Sequence, residues 1–187
     1  PEMDGLDSLH EVVIILASNR GDLIDPAVLR PGRIDRKIKV NRPNKEGARE
    51  IYRIYLTNDL PYDAALLPDA EAKEAAIDAL IGRLVDKQFA RREENRLLEV
   101  TLRSGRKEAL YRSDVISGAI IASIVERAKA MAIKRAIASG GDEGISEADL
   151  EVAWNAEYLE NEILLATDST EDGLKLIDYD PANVVKI

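Results

Sequence analysis

The sequence predicts a short α/β segment, the end of a parallel sheet, followed by a mainly α-helical subdomain that carries an inserted β-hairpin. Three observations predict it. Val12-Val13-Ile14-Ile15-Leu16-Ala17 is a continuous apolar run rich in β-branched residues, the pattern of a strand buried on both faces. Apolar residues at helical spacing then recur in separate stretches between 43 and 167, as amphipathic helices require. Among them, two short runs flank Ser104-Gly105, the mark of a hairpin.

Each element follows from its local chemistry. A strand at 12–17 needs partner strands, and the opening Pro1-Glu2-Met3-Asp4-Gly5-Leu6 has no start methionine; the chain therefore reads as cut from something longer. Asp25-Pro26 predicts a short helix to Arg30, with Asp as N-cap and Pro in the first turn, broken by Pro31-Gly32. A short strand is expected over 34–40. Pro43-Asn44 starts a helix to about Thr57 with Ala48, Ile51, Tyr52, Tyr55 and Leu56 inward. A second helix is expected over about 70–91 with Ala76, Leu80, Leu84 and Phe89 inward, after a loop holding Pro61 and Pro68. The hairpin runs through 96–102 and 107–111. A long helix follows over about 115–139, marked by Ile116, Ile120, Ile124, Ala128, Ala132 and Ile137, and Gly140-Gly141 ends it,. Ser146 to Asp149 resembles a capping box opening a last helix to about Thr167, with Leu150, Trp154, Leu159 and Ile163 inward. In the tail, 174–177 and 184–187 are weak strand candidates.

Composition removes several classes of function. The chain of 187 residues has no cysteine and a single histidine, His10, so thiolate metal sites, disulfides and histidine clusters are excluded. No stretch reaches the roughly 18 apolar residues of a membrane span, and a cytoplasmic protein is expected. The net charge of −9 is uneven: residues 139–187 hold 13 acidic residues and 2 basic ones, whereas 30–53 hold nine basic against three acidic. A local basic cluster in an acidic chain points to a specific anionic ligand more than to nucleic acid. The acidic tail itself reads as a solvated surface.

The chemistry concentrates near the N-terminus. Ser18-Asn19-Arg20 directly follows the apolar strand, where ligands of open α/β sheets bind. Asn19 there either orients a water or phosphate oxygen, or caps the next turn. Arg30 and Arg33 flank a rigid Pro31-Gly32 turn. Two guanidiniums so placed suit the charge of a transferring phosphoryl group, or pair on the surface with Asp25 or Asp35. Further along, Ser117-Gly118-Ala119 opens the long helix. A glycine at a helix N-terminus permits close ligand approach, or serves helix packing alone.

The whole string Ala17-Ser18-Asn19-Arg20, then Ile24-Asp25-Pro26-Ala27-Val28-Leu29-Arg30-Pro31-Gly32-Arg33-Ile34-Asp35-Arg36, resembles the sensor-1 strand and second region of homology of AAA ATPases. The resemblance implies that Asn19 positions the attacking water and that Arg30 and Arg33 are arginine fingers reaching a neighbouring subunit's nucleotide. It also implies that Ser117-Gly118-Ala119 matches the Gly-Ala sensor-2 motif, and that Ile51 and Tyr55 line the adenine pocket. Many family members have His where Tyr55 stands. The implied domains are a large-subdomain portion over 1–42, a helical lid over 43–167 with an insertion at about 58–112, and an acidic tail over 168–187.

The long stretch between the first lid helix and Gly118, the hairpin from Asn95 to Thr101, and Glu157-Tyr158-Leu159-Glu160-Asn161-Glu162 resemble the bacterial proteasome-associated ATPases. That likeness implies a homohexameric ring that unfolds tagged proteins and feeds a 20S proteasome, using ATP or ADP with Mg2+. No G-x-x-x-x-G-K-[ST] loop and no apolar run ending in Asp-Glu occurs,. The phosphate loop and Mg2+ ligands are therefore expected outside these residues, and the chain alone is not expected to hydrolyse ATP. Its last residues, Asn183 to Ile187, are not the Gln-Tyr-Leu end that joins some of these motors to the proteasome. The competing readings are a non-catalytic assembly module, an AAA motor outside the proteasome branch and, disfavoured by the acidity, a nucleic-acid binder.

Overall fold

Asn44 sets the first helix in place: its side chain accepts a hydrogen bond from Gly47 N at 2.8 Å, the N-cap arrangement that satisfies an otherwise orphaned donor. In the computed structural model, the described residues are 15–18, 24–27, 36–66, 72–141, 143–166 and 184–186, with backbone alone described over 161–166 and 184–186. The chain divides into two compact units, Pro1–Asn41 and Arg42–Ile187.

In the first unit, Asp25 accepts from Ala27 N at 2.8 Å and so caps the Pro26-Ala27 turn. The strands expected over 12–17 and 34–40 do not form where they are described: residues 15–17 and 36–40 lie in no strand. Ile38 and Val40 are 84% and 90% exposed. A strand exists through its ladder of hydrogen bonds, and no partner strand for these segments is present among the described residues. His10 lies outside them.

The second unit is built from α1 (Lys45–Tyr55), α2 (Lys73–Gln88), the short α3 (Arg112–Val115), α4 (Gly118–Ser139) and α5 (Glu147–Ala166). α1 packs on α2 and α4, and α5 packs on α4 and α2. One core joins them, with Tyr52 and Leu56 meeting Leu80, Ile81, Leu84, Ile121, Ile124, Leu150, Trp154 and Tyr158. Trp154 is buried core, edge-on to Tyr158 at 4.3 Å between ring centroids. In α2 the buried set is Ile77, Leu80, Ile81, Leu84, Val85 and Gln88. This is a wider stripe than 76, 80, 84 and 89 would make, as a helix covered by two neighbours requires. α5 buries Leu150, Ala153, Trp154 and Tyr158, while Leu159, expected inside, is 58% exposed. Ile137 of α4 also faces outward.

The hairpin consists of β1 (Arg96–Leu102) and β2 (Lys107–Tyr111), antiparallel with Leu98 opposite Leu110 and Thr101 opposite Lys107. Gly105 turns it at φ 81°, a left-handed value that glycine adopts without strain. β3 (Val184–Lys186) adds antiparallel to the other edge of β1, giving the order β2-β1-β3. The 184–187 strand candidate is therefore real, while 174–177 lies outside the described residues.

α4 starts later than expected. Ile116-Ser117 separates it from α3, and Ser117 accepts from Ile120 N at 3.3 Å as its N-cap. It ends at Gly140, φ 68°. At the far end, Ser146 and Asp149 cap α5 reciprocally, with Asp149 N donating to Ser146 Oγ at 3.1 Å and Ser146 N donating to Asp149 Oδ2 at 2.8 Å.

Candidate functional site

Two helices of the second unit bring the described candidate residues together. α1 carries Ile51 and, one turn on, Tyr55; both are half-buried against the core. α4 begins at Gly118 and Ala119, half-buried and exposed respectively. A Cβ built on Gly118 would lie 4.0 Å from Ile51 Cδ1, an ordinary contact, and would meet nothing closer. Gly118 also has no positive φ. Neither the backbone nor the packing of this unit therefore requires glycine at the first position of α4. The small residue leaves open room beside the apolar wall of Ile51, at the start of a helix.

That helix start is electropositive. The first turn of α4 contains no acidic side chain, whereas α1, α2 and α5 carry Glu46, Glu74 and the Glu147/Asp149 pair in theirs. The partial positive charge of the α4 N-terminus is thus left for an anion to meet. An apolar wall, a glycine gap and an electropositive helix start together can take a ligand with one flat apolar part and one anionic part.

The corner before Gly118 is tied down from several directions, and sequence reasoning missed this. Arg42 Nη1 donates to Val115 O at 2.7 Å. Tyr158 donates from its hydroxyl to Arg112 O at 2.9 Å, and Arg112 lies over the Tyr158 ring. Arg91 donates to Asp114 at 2.9 Å, and Asp114 accepts from Tyr111 N at 2.9 Å. Burial raises the Tyr158 phenol well above its ordinary value, with Tyr52 adding to the shift, so the hydroxyl stays a donor. Apart from Tyr111 with Asp114, these pairs join residues far apart in sequence and leave no local pattern to read. Beside the corner an open cleft of about 350 Å3 is lined by Arg42, Asn44, Lys45, Phe89, Arg91 and Asp114 among others.

Asn19, Arg30 and Arg33 lie outside the described residues. Among the described residues no cluster of acidic or histidine side chains is arranged to hold a metal ion, and no helix is long and apolar enough to cross a membrane.

Comparison with known proteins supplies the family. Residues 43–187 match the family model described as "ARC, AAA+ ATPase lid domain", and residues 1–42 match "ATPase family associated with various cellular activities (AAA)". The chain is 48% identical over 177 residues to a proteasome-associated ATPase of Acidimicrobium ferrooxidans, covering 94% of this chain and 30% of that protein. It is 49% identical over 176 residues to a proteasome-associated ATPase of Sanguibacter keddieii, with coverage of 94% and 30%. A protein of Corynebacterium kroppenstedtii named "AAA ATPase forming ring-shaped complexes" is 44% identical over 177 residues, with coverage of 94% and 31%. The chain thus spans about three-tenths of the length of these relatives. With both matches adjoining and the helical unit described above lying within the second, this chain belongs to the AAA ATPase family and carries an ARC-type lid domain.

Proposed function

We propose that the chain is part of an ATP-driven hexameric unfoldase that feeds proteins to a bacterial 20S proteasome, and that its helical unit is the nucleotide lid. Gly118 is the observation that carries the lid reading: a glycine that nothing in its own unit requires, set against Ile51 at a helix N-terminus whose first turn holds no acidic residue. In this reading the adenine or ribose of ATP or ADP lies between Ile51, Tyr55, Gly118 and Ala119. The bound Mg-nucleotide supplies the phosphoryl group to be transferred, and the lid residues bind and orient its base end. The proteasome branch is supported by relatives named proteasome-associated ATPases, and the ring by the relative named for ring-shaped complexes.

Asn19 then acts as sensor 1, orienting the attacking water. Arg30 and Arg33 are fingers that stabilise charge at a neighbouring subunit's phosphate, a role suited to a permanently charged, forked donor. The domain limits that go with this are 1–42, 43–167 with an insertion at about 58–112, and 168–187, in a cytoplasmic protein. The decisive experiment is Arg33→Ala in the full-length ring. The expected result is nucleotide binding close to the parent's and a loss of hydrolysis on the order of 10^3-fold or more, the scale of a missing arginine finger. Unchanged turnover per ring would overturn the finger assignment.

A further inference from the structure

A side chain from the lead-in of α1 reaches the lead-in of α4, the two helices that form the candidate nucleotide wall. Arg42 is the first residue of the second unit and stands two residues before the Asn44 N-cap of α1. Its guanidinium reaches across the fold to Val115 O, at 2.7 Å, three residues before Gly118. Val115 ends the four-residue α3, so its carbonyl has no continuing helix to bond within and needs an outside donor. Ile116, between Val115 and Ser117, is fully buried, which makes this corner a poor place for slack.

We propose that Arg42 is a positioning residue for nucleotide binding, fixing the start of α4 against the start of α1 and thereby setting the gap between Gly118 and Ile51. The inference rests on the lid reading above. The geometry separates this role from simple support of the fold. The corner keeps its other ties, Tyr158 to Arg112 O, Arg91 to Asp114 and Arg112 to Asn155 at 2.8 Å, when Arg42 is removed. Those ties run to α5 and to the end of α2. The Arg42 bond runs to the lead-in of α1, the helix that carries Ile51. Losing it therefore leaves the corner folded but frees α4's first turn to shift relative to α1. A ligand that bridges the two helices reads that shift as lost affinity, while groups acting on the phosphates do not.

The test uses the full-length ring with four proteins: parent, Arg42→Met, Arg42→Lys and Gly118→Val. The readouts are affinity for a fluorescent ADP analogue, KM and kcat for ATP, and melting temperature without nucleotide. Arg42→Met keeps most of the stem and loses the donor. It is expected to weaken ADP binding and raise KM about tenfold, the factor that one hydrogen bond to a charged donor supplies, with kcat within about twofold, the pattern of lost ground-state binding. Arg42→Lys keeps a charged donor for the Val115 carbonyl and is expected to recover most of the affinity. Gly118→Val is the control on the reading beneath: its bulk fills the gap and is expected to weaken ADP binding strongly. If Gly118→Val weakens binding and Arg42→Met does not, the positioning role is overturned while the lid site stands. If Gly118→Val leaves binding unchanged, the lid site itself is wrong and this inference falls with it. If Arg42→Met lowers the melting temperature and kcat together and Lys rescues neither, Arg42 is only a fold support and the proposal is overturned.

Discussion

At the scale of single residues, two glycines of the same unit make opposite predictions. A Cβ on Gly144 would fall 2.2 Å from Tyr62 C and 2.5 Å from its Cα and N, because Ile145 bridges Tyr62 and the two backbones run in contact, with Ile145 N donating to Pro61 O at 3.0 Å. Backbone cannot yield as a side-chain tip can, so Gly144→Ala is expected to destabilise the unit by about 3 kcal/mol or more, at or above the upper end of overpacking. Gly118→Ala meets only Ile51 Cδ1 at 4.0 Å. It is expected to leave the melting temperature unchanged or raise it slightly, and to weaken nucleotide binding. Thermal melts of both variants beside a nucleotide titration of Gly118→Ala check the pair; a Gly118→Ala protein that melts early would return that glycine to a packing role. Only one of these glycines was legible in the sequence. Gly118 stands in a local Ser-Gly-Ala string at a helix start, whereas Gly144 owes its identity to Tyr62, which no spacing rule connects to it.

At the scale of elements, the sequence read best where the determinants are local. The hairpin's strand limits, 96–102 and 107–111, follow from two short runs flanking a Ser-Gly turn and match the structure at both ends. The inward faces of the helices read less well. Stepping by four or five residues drifts off a 3.6-residue stripe, so α5 was expected to bury Leu159 where the structure buries Tyr158,. The difference is open to measurement. Leu159→Ala removes an exposed side chain and is expected to change stability by no more than about 0.5 kcal/mol. Tyr158→Phe keeps the ring but leaves Arg112 O without the hydroxyl that donates to it at 2.9 Å, a cost of about 0.5–1.5 kcal/mol for one hydrogen bond at a part-buried acceptor. Denaturant unfolding of the two variants decides it, and equal effects would contradict the helix phase. Of the strands expected over 12–17 and 34–40, the described residues 15–17 and 36–40 are not in a strand, for the complementary reason. Apolar β-branched runs state a preference for a ladder, but the ladder's other half is not written in them.

At the scale of the whole molecule, the helical unit is held together in part by carboxylates whose protons the fold keeps off, and this fixes how it responds to pH. The best-placed is Asp149. Its burial works to raise the pKa, but the Arg135 guanidinium at 2.7 Å and the donors of Ser146 outweigh it and hold the carboxyl below the ordinary 3.8. Glu147 is held below 4.5 chiefly by Arg83, and Lys87 adds to this against a smaller penalty of burial. Both sit at the start of α5, where they also meet the helix N-terminus,. In the unfolded chain these groups take up protons at their ordinary values, so unfolding binds protons and stability falls as the medium becomes more acid. The contribution is complete above about pH 5, begins to be lost near 4.5 and 3.8, and is gone below the depressed folded values. Tyrosines set the opposite limit. Burial pushes Tyr62 up to about 12, with Asp59 adding to it, from an ordinary 10.0; stability is therefore complete below pH 10 and declines above it. A plot of melting temperature against pH is expected to be flat from about 5 to 9, falling on both sides. Asp149→Asn should lower the plateau and flatten the acid limb, because the carboxylate that resists protonation is gone while Arg135 remains beside a neutral partner. An acid limb of unchanged steepness in that variant would move the source of acid sensitivity away from the α4–α5 junction.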